Sequence, residues 1–420
     1  MSTLNRNGLF TLFIFWSTLI FSVSGLRLIW PMGNLSRYVN VVLLFILVLL
    51  TCFVLIKKKY PAVIWYVQII PGVLIACGIT LNVAINALTY FEFSPIIASI
   101  NPWLLYILIP FLIRENSINS EKLWRQFYLF MLIINILGIL EYIFVFLGSY
   151  PLRVINTVYG EFYAGYFSIF HKLQDDTPHY RYYSGFLEPG TLAMYLLPAM
   201  IYALLHKRYI GLLIFCVAMY LTDSLGGIIS SILIVVISPF ILASGRSKNR
   251  KFFILVGSVC LALFAAVIMG SSLGSKYEHK GESTEIRLSQ STQIIDSWTI
   301  LLLESPLGIK LETSTEDFEK NKLYVGSNFT PSIYLQFGGV IALIGYVGVL
   351  LVSFLFSMLL FLKNSLKIEE RLVLSSIIVT LPFIVQRTTI WEHSLFALLF
   401  STVLIGLLKS VSTAKRRVDH

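Results

Sequence analysis

Two side chains able to do chemistry stand close together in R-Y-Y-S-G-F-L-E-P-G, residues 181–190: Arg181 and Glu188. Both sit just ahead of a long apolar run, where charge is costly. An arginine keeps its charge and grips phosphate oxygens through a planar fork. A carboxylate can take a proton from a hydroxyl or hold an arginine in place. Each also has a plainer reading. Arg181 can meet lipid headgroups at an interface. Glu188 precedes Pro189, which suits the first position of a helix, and an acid there favours the helix dipole. Arg287 and Arg387 are the other arginines placed near predicted helix ends on the same side. Glu141 lies inside an apolar run, where an ionisable group is a functional candidate by default. His393 follows Glu392 in the last turn on that side, and Asp223 lies in a glycine-rich hairpin, L-T-D-S-L-G-G. Tyr182 and Tyr183 suit either a sugar-binding surface or a membrane anchor. Asp175-Asp176 reads as a surface turn, and no D-x-D occurs in an outer loop, so neither metal nor cofactor is expected.

The elements that must position these groups are set by composition. Of 420 residues, 57% are hydrophobic and only 13% are charged, about half the usual charged share. Apolar runs fall at roughly 9–25, 39–56, 61–80, 98–113, 126–147, 190–206, 209–222, 226–243, 252–270, 332–362, 371–386 and 394–409, which predicts about twelve transmembrane helices. The expected fold is an all-α polytopic membrane protein, one integral domain over 1–420. The run at 332–362 is long enough to tilt or to leave the bilayer at one end. The N-terminal run resembles a signal peptide and is read as a retained first helix. The four cysteines lie inside apolar runs and read as small core residues.

Lysine and arginine crowd alternate connections, including 57–59, 114–125, 207–208, 246–251, 363–371 and 409–417. The short connections between them hold only Arg27, Arg37 and Arg387. By the positive-inside rule both termini are cytoplasmic. The net charge of +10 then belongs beside anionic lipid headgroups, and nucleic acid is not expected as a partner.

Two long loops remain on the outer side, roughly 148–188 and 271–331. Loops of this length are usually functional or disordered. The first is rich in aromatics, which predicts a folded loop lying on the membrane surface. In the second, Ser291, Ile294, Ile295, Trp298 and Leu302 recur at helical spacing, which predicts an amphipathic surface helix over about 285–304 with Arg287 at its start.

Three stretches in this order resemble the O-antigen polymerase family and the related O-antigen ligases. They are R-Y-Y-S-G-F-L-E-P-G; L-T-D-S-L-G-G at 221–227; and Arg287, then P-L-G at 306–308, then Y-L-Q-F-G-G at 334–339. Ser184 stands where the family often has glycine, and Leu225 where it often has arginine. Ligases usually carry a histidine shortly before the Tyr-Leu of the return helix, and S-N-F-T-P-S-I at 327–333 has none, which favours a polymerase. The resemblance implies a fold like that of C-type glycosyltransferases with two periplasmic loops. It implies transfer of a growing glycan from undecaprenyl pyrophosphate onto a new lipid-linked repeat unit, at the periplasmic face of the bacterial inner membrane. It implies Arg181, Glu188 and Arg287 as catalytic groups. Arg387, His393, Glu141, Asp223, Tyr182 and Tyr183 would contact substrate. The partners would be undecaprenyl-pyrophosphate-linked oligosaccharides and membrane lipids, with room for a chain-length regulator protein. An O-antigen ligase, or a flippase or transporter of lipid-linked sugars, are the alternatives.

Overall fold

A computed structural model describes residues 66–87, 119–148, 152–157, 160–172, 180–186, 188–242, 305–308, 330–362 and 366–386, with 15–16, 19, 298, 302–303, 395–396 and 399. The termini, the basic stretch 246–251, Arg287, Arg387 and His393 lie outside the described residues. Of the surface helix expected over 285–304, Trp298, Leu302 and Leu303 are described, and all three are helical.

The described part is mostly helical, and each long helix falls on an apolar run. They are α1 (Tyr66–Ala87), α2 (Ser120–Phe146), α3 (Pro189–Leu205), α4 (Tyr209–Leu221), α5 (Leu225–Leu242), α6 (Thr330–Leu362) and α7 (Ile368–Gln386). Among the described residues two helices are long and apolar enough to cross a bilayer, Ser120–Phe146 and Tyr334–Leu355. They point to a membrane protein.

Local chemistry sets the helix ends. Asn119 caps α2 by accepting from the Lys122 amide at 3.0 Å, and Gly148 in the left-handed region (φ 71°) follows its last turn. Pro189 opens α3 directly after Glu188, whose backbone is extended.

The aromatic loop is where the all-α expectation fails. Residues 153–184 form a four-stranded antiparallel meander: β1 (Arg153–Thr157), β2 (Gly160–Ala164), β3 (Ile169–Lys172) and β4 (Tyr180–Ser184), in the order β1-β2-β3-β4. Residues two apart on a strand share a face. Tyr180 and Tyr182 therefore turn to α2, where Tyr142 packs edge-on against Tyr182 at 6.2 Å and donates to the Tyr180 carbonyl at 3.1 Å. Tyr163 and Phe170 share that face. Tyr183 points the other way and packs against Phe162 at 5.7 Å. A bulge between Ile169 and Phe170 lets the strand turn as it meets β4.

Charge is segregated along the helices. Lys122, Arg125, Lys207, Arg208, Lys367 and Arg371 gather, with Glu121, Glu369 and Glu370 among them, at the end away from the sheet. There Tyr128 of α2 stacks on Tyr202 of α3 at 5.0 Å, with the Arg208 guanidinium 5.1 Å above the Tyr128 ring. Arg371 donates to the Ile241 carbonyl at 2.6 Å, joining α7 to α5.

The long run at 332–362 is a broken helix. Gly339 has φ 63° and ψ −161°, a region that side chains other than hydrogen do not tolerate. The break has a precise hydrogen-bond consequence. In an unbroken helix the Val340 amide donates to the Gln336 carbonyl. Here Val340 donates to the Pro306 carbonyl at 2.9 Å, and Gln336 accepts from the Asn82 side chain of α1 at 3.3 Å. The P-L-G and Y-L-Q-F-G-G stretches, apart in sequence, thus meet at one kink. A methyl group on Gly339 would strike the Pro306 carbonyl and the Leu307 backbone. Gly339→Ala is expected to cost about 3 kcal/mol, from backbone strain and this clash together. A melting temperature in detergent equal to that of the native chain would show that α6 runs straight.

Candidate active site

At the C-terminal tip of α4 the chain reverses within three residues. Thr222 is the C-cap of α4, and Asp223 takes the left-handed conformation (φ 51°). The Ser224 hydroxyl then accepts from the Gly227 amide at 3.3 Å, starting α5. The Thr222 hydroxyl donates to the Met219 carbonyl at 2.7 Å and accepts from the Ser224 amide at 3.2 Å. This is the T-D-S turn of L-T-D-S-L-G-G.

Arg181 reaches this turn from β4. Its Nε donates to the Thr222 carbonyl at 3.1 Å and its Nη2 to the Asp223 carbonyl at 3.0 Å. These carbonyls lie at the negative end of the α4 dipole, which favours a cation. One edge of the guanidinium is thereby fixed. Among the described residues the Nη1 end has no acceptor. Arg181 and Asp223, two residues singled out in the sequence, therefore come together, through the aspartate's backbone.

The chain bends between Arg181 and Glu188, as Gly185 and Pro189 predict. The backbone already turns one residue before Gly185, at Ser184, which is buried and left-handed (φ 50°). That is the position where the resembling family often has glycine. Phe186 anchors the bend against Tyr195 at 4.7 Å, and Tyr195 packs on Phe396 at 4.4 Å. A non-glycine residue in the left-handed region costs about 1–2 kcal/mol. Ser184→Gly is therefore expected to melt no lower than the native chain, while β-branched Ser184→Val melts several degrees lower. Equal losses in both variants would place the importance of Ser184 in its hydroxyl.

Glu188 is the N-cap of α3, but its side chain makes no capping hydrogen bond and is exposed. The helix-start account of Glu188 thus loses its main bond, although the dipole still favours the charge.

Two sequence candidates change role. Glu141 is only 3% exposed. Its carboxylate accepts from the Tyr166 amide at 2.5 Å and the Phe167 amide at 3.1 Å, gripping the turn between β2 and β3. A methyl group at Gly165 would meet that carboxylate and displace it from the turn. Glu141 is a turn clamp, not a group offered to substrate. Tyr182 is fully buried and donates to Asn135 of α2 at 3.2 Å. Burial pushes its phenol above the ordinary range; the Ser184 and Ser168 hydroxyls pull it down, and the Glu141 charge pushes it up. Tyr182 is core, and Tyr183, 5% exposed, is also packed. Arg287, Arg387 and His393 fall outside the described residues.

Sequence reasoning missed Thr222 as the anchor of Arg181, and Asn135 as the anchor of Tyr182. A signal for the second was present: Asn135, Gly138 and Glu141 recur every three residues in an otherwise apolar helix, marking the face that meets protein. Compared with protein-family models, curated proteins and solved structures, the chain matches none.

Proposed function

We propose that the chain is a membrane glycosyltransferase that polymerises lipid-linked oligosaccharide repeat units, as the resemblance to O-antigen polymerases suggests. The bond from the sugar's anomeric carbon to the pyrophosphate oxygen breaks, and a bond from that carbon to the acceptor hydroxyl forms. The proton leaves the hydroxyl for a carboxylate, and the lipid pyrophosphate departs as an anion. The observation that supports this reading is the anchored Arg181. One edge of its fork is held by the Thr222 and Asp223 carbonyls, so its remaining N–H groups are pre-set for an anion. Glu188, exposed at the head of α3 and not used as a cap, takes the part of the base. Arg287, with Arg387 and His393, completes the anion site in this reading. The site lies on the periplasmic face of a bacterial inner membrane, with the basic end of the bundle in the cytoplasm.

The test is the purified chain in vesicles, given an undecaprenyl-pyrophosphate-linked repeat unit. A ladder of lengthening lipid-linked glycans supports the reading. Movement of the lipid across the bilayer with no ladder would make the protein a flippase. A cell lacking the chain separates the remaining rival: single repeats still attached to the lipid A core indicate a lost polymerase, and no attached glycan indicates a lost ligase. Because arginine supplies the positive charge, chain growth is expected to persist in EDTA. Loss of the ladder in EDTA, restored by a divalent ion, would overturn the arginine account.

A further inference from the structure

The turn between β2 and β3 presents two aromatic side chains outward, Tyr166 at 64% and Phe167 at 37% exposure. Exposed aromatics on a soluble loop would stand in water. These do not hang free, because Glu141 grips both of their amides. Glu141 lies on α2 little more than one turn from its end at Phe146. The turn is therefore fixed at a definite height on a definite helix.

That helix shows what surrounds it. Leu123, Phe127, Met131, Asn135, Gly138 and Val145 face protein. The opposite stripe, Ile133, Ile136, Leu140, Phe144 and Leu147, recurs every three or four residues and is exposed. An apolar stripe along the second half of a helix long and apolar enough to cross a bilayer suits a covering of acyl chains. It ends at Leu147, 66% exposed, six residues past Glu141, so the held turn lies within about 9 Å of the end of the stripe. Tyrosine and phenylalanine beside the end of a lipid-facing stripe match the interfacial belt, where a ring meets hydrocarbon and a hydroxyl meets headgroups.

We propose that the β2–β3 turn is a membrane-docking element: Tyr166 and Phe167 enter the headgroup–acyl boundary beside the end of α2, aimed there by Glu141. The sheet then rests on the lipid surface. The inference depends on α2 spanning a bilayer and not on the glycosyltransferase reading.

Phe167→Cys keeps the amide that Glu141 holds, so a nitroxide there reports the native position. It is compared with labels at Ile133→Cys, in the lipid-facing stripe, and at Glu121→Cys, exposed in the first turn of the same helix. The full chain, its four native cysteines replaced by serine, is reconstituted in phosphatidylcholine vesicles. Power saturation gives the ratio of accessibility to oxygen, which partitions into lipid, over that to a water-soluble nickel chelate. The label at 167 is expected to lie several-fold above the label at 121 and nearer the label at 133. Adding Glu141→Ala should lower the ratio at 167 and raise the label's mobility. A ratio at 167 equal to that at 121 would put the turn in water and overturn the proposal. Exclusion of both reagents would mean that protein covers the turn, and overturns it too. A ratio unchanged by Glu141→Ala would remove Glu141 as the aiming group.

Discussion

Arg181→Ala is expected to abolish the glycan ladder while the protein still accumulates in the membrane. Removing one pre-set donor from a charge-stabilising site typically costs about 100-fold or more in rate. The structure adds a reason why lysine should rescue poorly. The fork spans two carbonyls, Thr222 at 3.1 Å and Asp223 at 3.0 Å, and still presents its other end. An ammonium group carries its three donors on one atom and lacks the planar fork that meets both carbonyls along one edge and presents the other end at a fixed distance. Arg181→Lys should therefore leave at most a few per cent of chain growth. Normal ladder length in Arg181→Ala would reduce the residue to a brace between β4 and the α4–α5 turn. A fall in protein level matching the fall in ladder would carry the same meaning.

Glu188→Gln is the second large effect expected. Two accounts of Glu188 separate under substitution. As a charge favouring the α3 dipole it contributes at most roughly 1 kcal/mol to stability, and Asp should serve as well as Glu. As a base it must ionise and reach the acceptor hydroxyl. Gln then stops chain growth, because an amide is no base, and Asp is impaired by lost reach. The side chain makes no capping bond to α3, so the first account rests on the dipole alone. The measurement is the ladder at matched protein levels. Normal ladders from Glu188→Gln would return Glu188 to the helix start and leave His393 as the candidate base, since both carboxylate oxygens of Glu141 are engaged by the β2–β3 turn.

The helices of the described residues were legible in sequence for one physical reason. A backbone in lipid must satisfy its own hydrogen bonds, so long apolar runs become helices with little choice. The runs at 126–147, 190–206 and 226–243 match α2, α3 and α5 to within a few residues at most ends. The sheet was harder to see because its strands are four or five residues long and their aromatics suit an interface as well as a strand. Period two was present in Tyr180, Tyr182 and Arg181, Tyr183, but a helical anchor uses the same residues. Arg181 stood out in the sequence as a cation just ahead of an apolar run. Its anchor did not, because two backbone carbonyls carry no sequence signature. Glu141 was noticed for the cost of a buried acid, and the groups that meet that cost are again backbone amides. What sequence shows poorly is side chain bound to main chain.

The kink in α6 also constrains the order of assembly. Closing it needs Asn82 from α1, 254 positions before the Gln336 carbonyl that it satisfies, and the Pro306 carbonyl from the loop between. Neither local propensity nor the neighbouring turns can supply those partners. Until early and late parts of the chain meet, the segment from Thr330 onward has a cheaper alternative: it can close its own ladder and stand as a straight rod. Bending is thus a non-local event, and contacts of such separation form slowly. Losing α1 would leave the Gln336 carbonyl without its Asn82 partner at the kink. The shape of one late helix becomes a record that the first part of the chain has arrived.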